Sequence, residues 1–106
     1  MDYRVFLTER AKADLVEVYS YISNELQSPG SAEDVIDSLH RAMSDLSLMP
    51  NRYHRYFEEP WFSEGVRYFT VRKFSVFYTV NETEKQVFIA HVIYNKRNFP
   101  QILKNA

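Results

Sequence analysis

Phe69-Thr70-Val71-Arg72-Lys73-Phe74-Ser75-Val76-Phe77-Tyr78-Thr79-Val80-Asn81 is the stretch on which the fold turns. Phe69 and Val71 alternate with Thr70, while Phe74, Val76, Tyr78 and Val80 alternate with Ser75, Phe77, Thr79 and Asn81. A repeat of two is the period of a β-strand, whose successive side chains point to opposite faces. The spacing predicts two strands joined by a tight turn near Arg72-Lys73. Moving the turn to Lys73-Phe74 leaves the same residues on one face, because both choices keep the pairing parity. Downstream, Asn81-Glu82-Thr83-Glu84-Lys85 reads as a polar hairpin loop and Gln86 to Ile93 (QVFIAHVI) as a further strand. That strand is apolar on both sides, so it is expected to be central or covered, and its pattern does not assign an inward face.

Upstream of this stretch the period changes. Tyr3 to Leu7 (YRVFL) is a short strand-like run. Thr8 then offers a capping hydroxyl, and Glu9 suits the positive end of a helix dipole. Ala11, Leu15, Val18, Tyr19, Ile22 and Leu26 recur every three or four residues, predicting an amphipathic helix over residues 9–27 that Pro29-Gly30 ends. Ser31 is expected to cap a second helix, with Glu33 and Asp34 in its first turn. Its apolar stripe is Val35, Leu39, Ala42, Met43, Leu46 and Met49, and Pro50 is expected to stop it. Residues 51–65 are aromatic without a period (Tyr53, Tyr56, Phe57, Trp61, Phe62) and read as a packed loop. The tail from Asn98 holds either one helical turn or an extended segment.

The expected architecture is therefore α+β: an N-terminal strand, an antiparallel helix hairpin and an antiparallel β-meander, in one domain spanning residues 1–106. The helices should shield one side of the sheet, leaving the opposite side free to grip another macromolecule. Strand order is not legible.

Composition narrows the function. The chain has 106 residues and no cysteine, which excludes a disulfide framework and cysteine-based zinc sites. No run reaches the ~18 apolar residues of a membrane span, and Met1-Asp2-Tyr3-Arg4 has no signal-peptide character. A cytoplasmic protein without membrane association is expected. His40, His54 and His91 are too scattered for a metal site, and the two glycines, Gly30 and Gly65, make no phosphate-cradling loop, so no metal or cofactor is expected. The formal net charge of -1 hides an asymmetry. Residues 1–50 carry four Lys/Arg against nine Asp/Glu, and residues 51–106 carry nine against five. This polarity marks either a basic working face or merely an uneven solvated surface. A pI near 6.3 argues against non-specific nucleic-acid binding.

Several motifs in this order resemble the RelE/ParE toxins. Asp14-Leu15-Val16-Glu17-Val18-Tyr19-Ser20-Tyr21-Ile22 is similar to the family's acidic-apolar first-helix signature, and Leu46 to Pro50 with Tyr53-His54 to the close of its second helix. Phe74-Ser75-Val76-Phe77-Tyr78 resembles the Y-x-I-F-Y strand, and His91-Val92-Ile93-Tyr94-Asn95-Lys96-Arg97-Asn98 the terminal R-V-L-H-x-x-R-D. The likeness spans about residues 3–100 and implies the effector half of a toxin–antitoxin pair, of the plasmid-stabilisation type, neutralised by a cognate antitoxin.

The superfamily divides by target: RelE-like members cleave mRNA in the ribosomal A site, and ParE-like members inhibit DNA gyrase. Cleaving RNA through its 2′-OH needs a base, an acid and cations for the developing charge. Where RelE-like enzymes look to place a strand arginine this chain has Ser75, and Tyr68, Phe69 and Thr70 stand where lysines are expected. The resemblance therefore favours the ParE-like branch. The nuclease alternative would use Arg97, His91 and Tyr94 as catalytic groups. Arg97, Lys96, Arg72 and Lys73 are the candidate target-binding cations. Each position also has a structural reading: an end-of-strand ion pair for Arg97, a packed strand histidine for His91, a core edge for Tyr94. The aromatics Trp61, Phe62, Phe57 and Phe99 exceed what two helices can cover and are candidate antitoxin contacts, or else they cap the core.

Overall fold

The computed structural model describes residues 2–25 and 29–95. Thr8 begins the organisation. Its backbone is extended (φ -69°, ψ 163°), and its hydroxyl accepts from the Ala11 N–H at 3.1 Å while donating to the Ile89 carbonyl at 2.8 Å. One side chain thus caps helix α1 (Glu9–Ser20) and ties its start to a distant strand. Strand β1 (Arg4–Leu7) precedes it, and α2 (Pro29–Ser44) follows. The meander is β2 (Arg67–Val71), β3 (Phe74–Asn81) and β4 (Gln86–Tyr94).

The described residues form one four-stranded sheet in the order β1-β4-β3-β2. β2–β3 and β3–β4 are antiparallel, as the alternation requires, whereas β1 joins β4 in parallel with Arg4 opposite Gln86 and Leu7 opposite Ile89. The β2–β3 turn is Arg72-Lys73, closed by the Val71–Phe74 pair, with Arg72 in the left-handed region at φ 55°. In the next loop the Asn81 side-chain carbonyl accepts from the Glu84 N–H at 3.0 Å, and Lys85 takes φ 56°.

Helix boundaries differ from the sequence expectation. The expected helix over 9–27 is α-helical only to Ser20 and continues as a π-turn over Tyr21–Glu25. Pro29-Gly30 begins α2 instead of ending α1, since a first-turn residue needs no N–H donor and a proline there costs nothing. Ser31 accordingly lies inside the helix and is not its cap. α2 stops at Ser44, tightening into a 3-10 turn over Asp45–Ser47 before Pro50, so Leu46 is buried while Leu48 and Met49 project into solvent.

One apolar cluster joins both helices (Leu15, Val18, Val35, Leu39) to one sheet face (Phe69, Val76, Tyr78, Val87, Ile89, Val92). The other face is not wholly free, which corrects the expectation of an open side. Tyr56, Trp61 and Val66 close over Phe77 and Ile93 in a second cluster. β4 is thus covered on both faces, as its composition suggested. Its inward face was unreadable because the phase changes mid-strand. Phe77 faces His91 but Tyr78 faces Ile89, so Ala90 is an extra, bulged residue, and Ile89 and Val92 both reach the helix-side cluster three positions apart.

Candidate functional site

β1 leaves β4 at Ile89, so residues 90–94 have no strand on that side. α1 fills the gap with a carboxylate. Asp14 is buried at 6% exposure on the apolar stripe between Ala11 and Leu15, and its Oδ2 accepts from the Val92 backbone N–H at 3.0 Å. Oδ1 lies 3.3 Å from Arg10 Nε, and Oδ2 lies 3.5 Å from His91 Nδ1. His91 is itself buried, and its Nδ1 makes no hydrogen bond among the described residues. A carboxylate thus takes over the edge that β1 abandons. Asp14 is the residue that sequence reading passed over as part of a motif; an acid inside a helix's apolar stripe was the available signal.

Beside this pair a cleft of about 140 Å³ opens between α1 and the end of β4, lined in part by Arg10, Asp14, Glu17, Tyr21, Val92 and Tyr94. Tyr94 is half-buried, its ring 5.6 Å from Phe74 and 6.2 Å from Tyr21 between centroids. Asn95 then ties the strand end to the β2–β3 turn, its N–H donating to the Lys73 carbonyl at 2.9 Å. Arg72 and Lys73, both exposed, therefore stand beside the end of β4, and Arg72 Nη2 reaches the Ser38 hydroxyl at 3.4 Å. Lys96, Arg97 and Phe99 lie outside the described residues. Of the expected set, the structure brings Tyr94, Arg72 and Lys73 to one end of the sheet. His91 is set apart by burial: a ring this deep against Asp14 presents no open face to a macromolecular substrate.

Ser75 occupies the strand position discussed above. It is 2% exposed, and its hydroxyl donates to Asn95 Oδ1 at 2.6 Å, so the site is small, enclosed and already bonded. Trp61 also needs correction as an open contact residue. It is 8% exposed, its ring edge-on to Tyr56 at 6.0 Å, and it closes the second cluster. Its neighbours are different: Phe57 is 70% exposed and Phe62 45%, with the Arg55 guanidinium 5.4 Å over the Phe62 ring. The loop presenting them is held by its own bonds, Phe62 N–H to the Glu58 carbonyl, Val66 N–H to the Trp61 carbonyl and Ser63 N–H to Glu59 Oε1 at 2.7 Å. A bond from the Ser63 hydroxyl, and after it this one from the Ser63 N–H, draw the Glu59 carboxyl below the usual carboxylate range. A second apolar hollow lies across the helix hairpin, lined by Leu15, Val16, Tyr19, Ser20 and Ile36.

Among the described residues no group of histidine, cysteine and acidic side chains is arranged to hold a metal ion, and no helix is long and apolar enough to cross a membrane.

A strand, a helical hairpin and an antiparallel meander, with β1 laid parallel to β4, make up the RelE/ParE toxin fold, and solved structures share it. A chromosomal ParDE toxin–antitoxin system from P. aeruginosa superposes with a TM-score of 0.72 at 24% identity, over 87% of this chain and 95% of that one. The RelBE2 toxin–antitoxin complex of Mycobacterium tuberculosis gives 0.67 at 17% identity, over 89% and 99%. A free-state mutant of E. coli RelE gives 0.67 at 15%, over 99% and 98%. No curated protein matches in sequence. The family model described as the ParE toxin of type II toxin–antitoxin systems, parDE, matches residues 5–99. The chain belongs to that family of toxins.

Proposed function

We propose that this chain is a growth-inhibiting, plasmid-stabilising toxin that works by binding an essential target such as DNA gyrase, without nuclease chemistry, and is silenced by a bound cognate antitoxin. The carrying observation is Ser75: a buried hydroxyl bonded to Asn95 leaves no room on β3 for a cation facing a scissile phosphate. The burial of His91 removes the best acid–base candidate from reach. Binding is supported by the exposed Phe57 and Phe62 on a self-bonded loop, and by the apolar hollow across α1 and α2, which suits an antitoxin segment that folds on docking. The cations for the target are Arg72 and Lys73 at the turn, together with Lys96 and Arg97.

Induction of the chain in cells tests the reading. A DNA-damage response with intact mRNA is the expected result. Codon-phased mRNA cleavage would replace it with the ribosome-dependent endoribonuclease reading, and growth without defect at verified expression would mark an inert relative. Arg97→Ala is expected to abolish growth arrest; a fully toxic variant removes Arg97 from the target-binding set.

A further inference from the structure

The cleft between α1 and the end of β4 has a chemistry that the toxin reading does not use. Glu17 lines it and forms no ion pair among the described residues. Asp14, also in the lining, is joined to the Arg10 guanidinium, the one such group lining the cleft among the described residues. Among the described residues two carboxylates stand against one cation, an excess negative charge placed on Glu17. The Tyr21 and Tyr94 rings stand 6.2 Å apart at 37°, and ring faces attract cations through their quadrupole. Both features select the same kind of guest.

Size and access agree. A cavity of roughly 150 Å³ takes a benzene, so one of about 140 Å³ holds a guanidinium with its adjoining methylenes. Asp14 already holds the Val92 N–H on this side of β4, so an extended chain reaches the cleft at the strand's end, beside half-buried Tyr94 and exposed Asn95. A guanidinium stacks on tyrosine and forks onto a carboxylate, which a lysine ammonium cannot do at once.

We propose that this cleft is an anchor pocket for an arginine side chain carried by an extended segment of a partner protein, the guanidinium lying against the Tyr21 and Tyr94 rings and paired with the Glu17 carboxylate. The anchor does not depend on which target the toxin inhibits or on whether the chain arrests growth.

The test titrates the isotope-labelled full chain with blocked peptides of sequence Ala-Val-Xaa-Val-Ala, where Xaa is arginine, lysine, glutamate or norleucine, and follows backbone amide signals. The arginine peptide is expected to shift Tyr21, Val92 and Tyr94 saturably, and to bind at least about tenfold more tightly than the glutamate and norleucine peptides. Glu17→Gln should weaken the arginine peptide about tenfold while leaving the thermal midpoint within about 2 °C, since Glu17 is an exposed residue with no ion pair among the described residues. Tighter binding of the glutamate peptide would show that Arg10 governs the cleft and overturn the proposal. Equal binding of norleucine, an unchanged affinity in Glu17→Gln, or no response of these amides to millimolar arginine peptide would overturn it too.

Discussion

Asp14→Ala should be the most damaging single change on the surface of contact between α1 and β4. The side chain is 7% exposed and accepts the Val92 N–H at 3.0 Å, so its removal strands a buried backbone donor and leaves His91 without its nearest anion. A hydrogen bond to a charged group contributes about 1.5–3 kcal/mol, and a buried donor left unmade costs on the order of 1–3. Because these overlap, a loss of about 2–4 kcal/mol is expected. Unfolding entropy of about 2.1 cal/mol/K per residue gives this chain roughly 0.22 kcal/mol/K, so the midpoint should fall by about 9–18 °C. Asp14→Asn keeps an acceptor for Val92 and loses only charge, and should lower it by about 4 °C. Arg10→Ala removes a half-exposed partner whose pairing contributes about 0–1 kcal/mol. Thermal and urea melts of the three variants decide the matter. Asp14→Ala melting within about 3 °C of the parent, or Arg10→Ala falling as far as Asp14→Ala, would refute the claim that the carboxylate replaces β1 at this edge.

Other outcomes follow from the same contacts. Tyr78 is fully buried, donates to the Pro50 carbonyl at 2.5 Å and has its phenol pushed up to about 12 by desolvation. A raised folded-state value means stability is complete below pH 10 and is lost as pH rises towards 12, so an absorbance titration at alkaline pH should show this tyrosine ionising last, and Tyr78→Phe should remove that step. Glu82 has its carboxyl drawn below 4.5 by hydrogen bonds from the Tyr3 hydroxyl at 2.6 Å and Asn51 Nδ2 at 2.7 Å. Its contribution is present above the ordinary carboxylate value and fades as pH falls through the lowered one; Asn51→Ala should move the Glu82 side-chain titration upward in an NMR pH series, and an unmoved midpoint would remove Asn51 as a cause. Trp61→Ala should cost about 3–5 kcal/mol in urea melts as a core truncation, whereas Phe57→Ala should stay within about 0.5 kcal/mol and weaken antitoxin binding in a pull-down titration. Comparable stability loss at both would mean that the loop does not divide into a buried and an open part.

The meander was legible because its information is local: the parity of Phe69, Val71, Phe74, Val76 and Tyr78 needs no knowledge of the remainder of the chain. The same holds for Thr8, whose capping role follows from its place before an apolar stripe. What escaped was non-local. The parallel seating of β1 depends on which strand end lies open, and a bulge at Ala90 shifts phase by one residue without any glycine to mark it. Pro29 was ambiguous in principle, since the residue that cannot continue one helix is well suited to start another. At the site, exposure was the missing variable. Trp61 and Phe57 look alike in sequence, yet one is buried and the other is 70% exposed, because only the former packs into the second cluster. Asp14 and Glu17 likewise lie in one acidic motif, three residues apart, and only the inner one meets a backbone donor.

Laying β1 against β4 also sets a timetable. Arg4 has nothing to pair with on β4 until Gln86 exists, so β1 is made well before the strand that receives it. Joining such distant segments costs loop entropy that the hairpins do not incur. During synthesis both helices are made before the meander that covers their apolar stripe. β1 therefore waits for its partner through the synthesis of both helices and the first two strands of the meander.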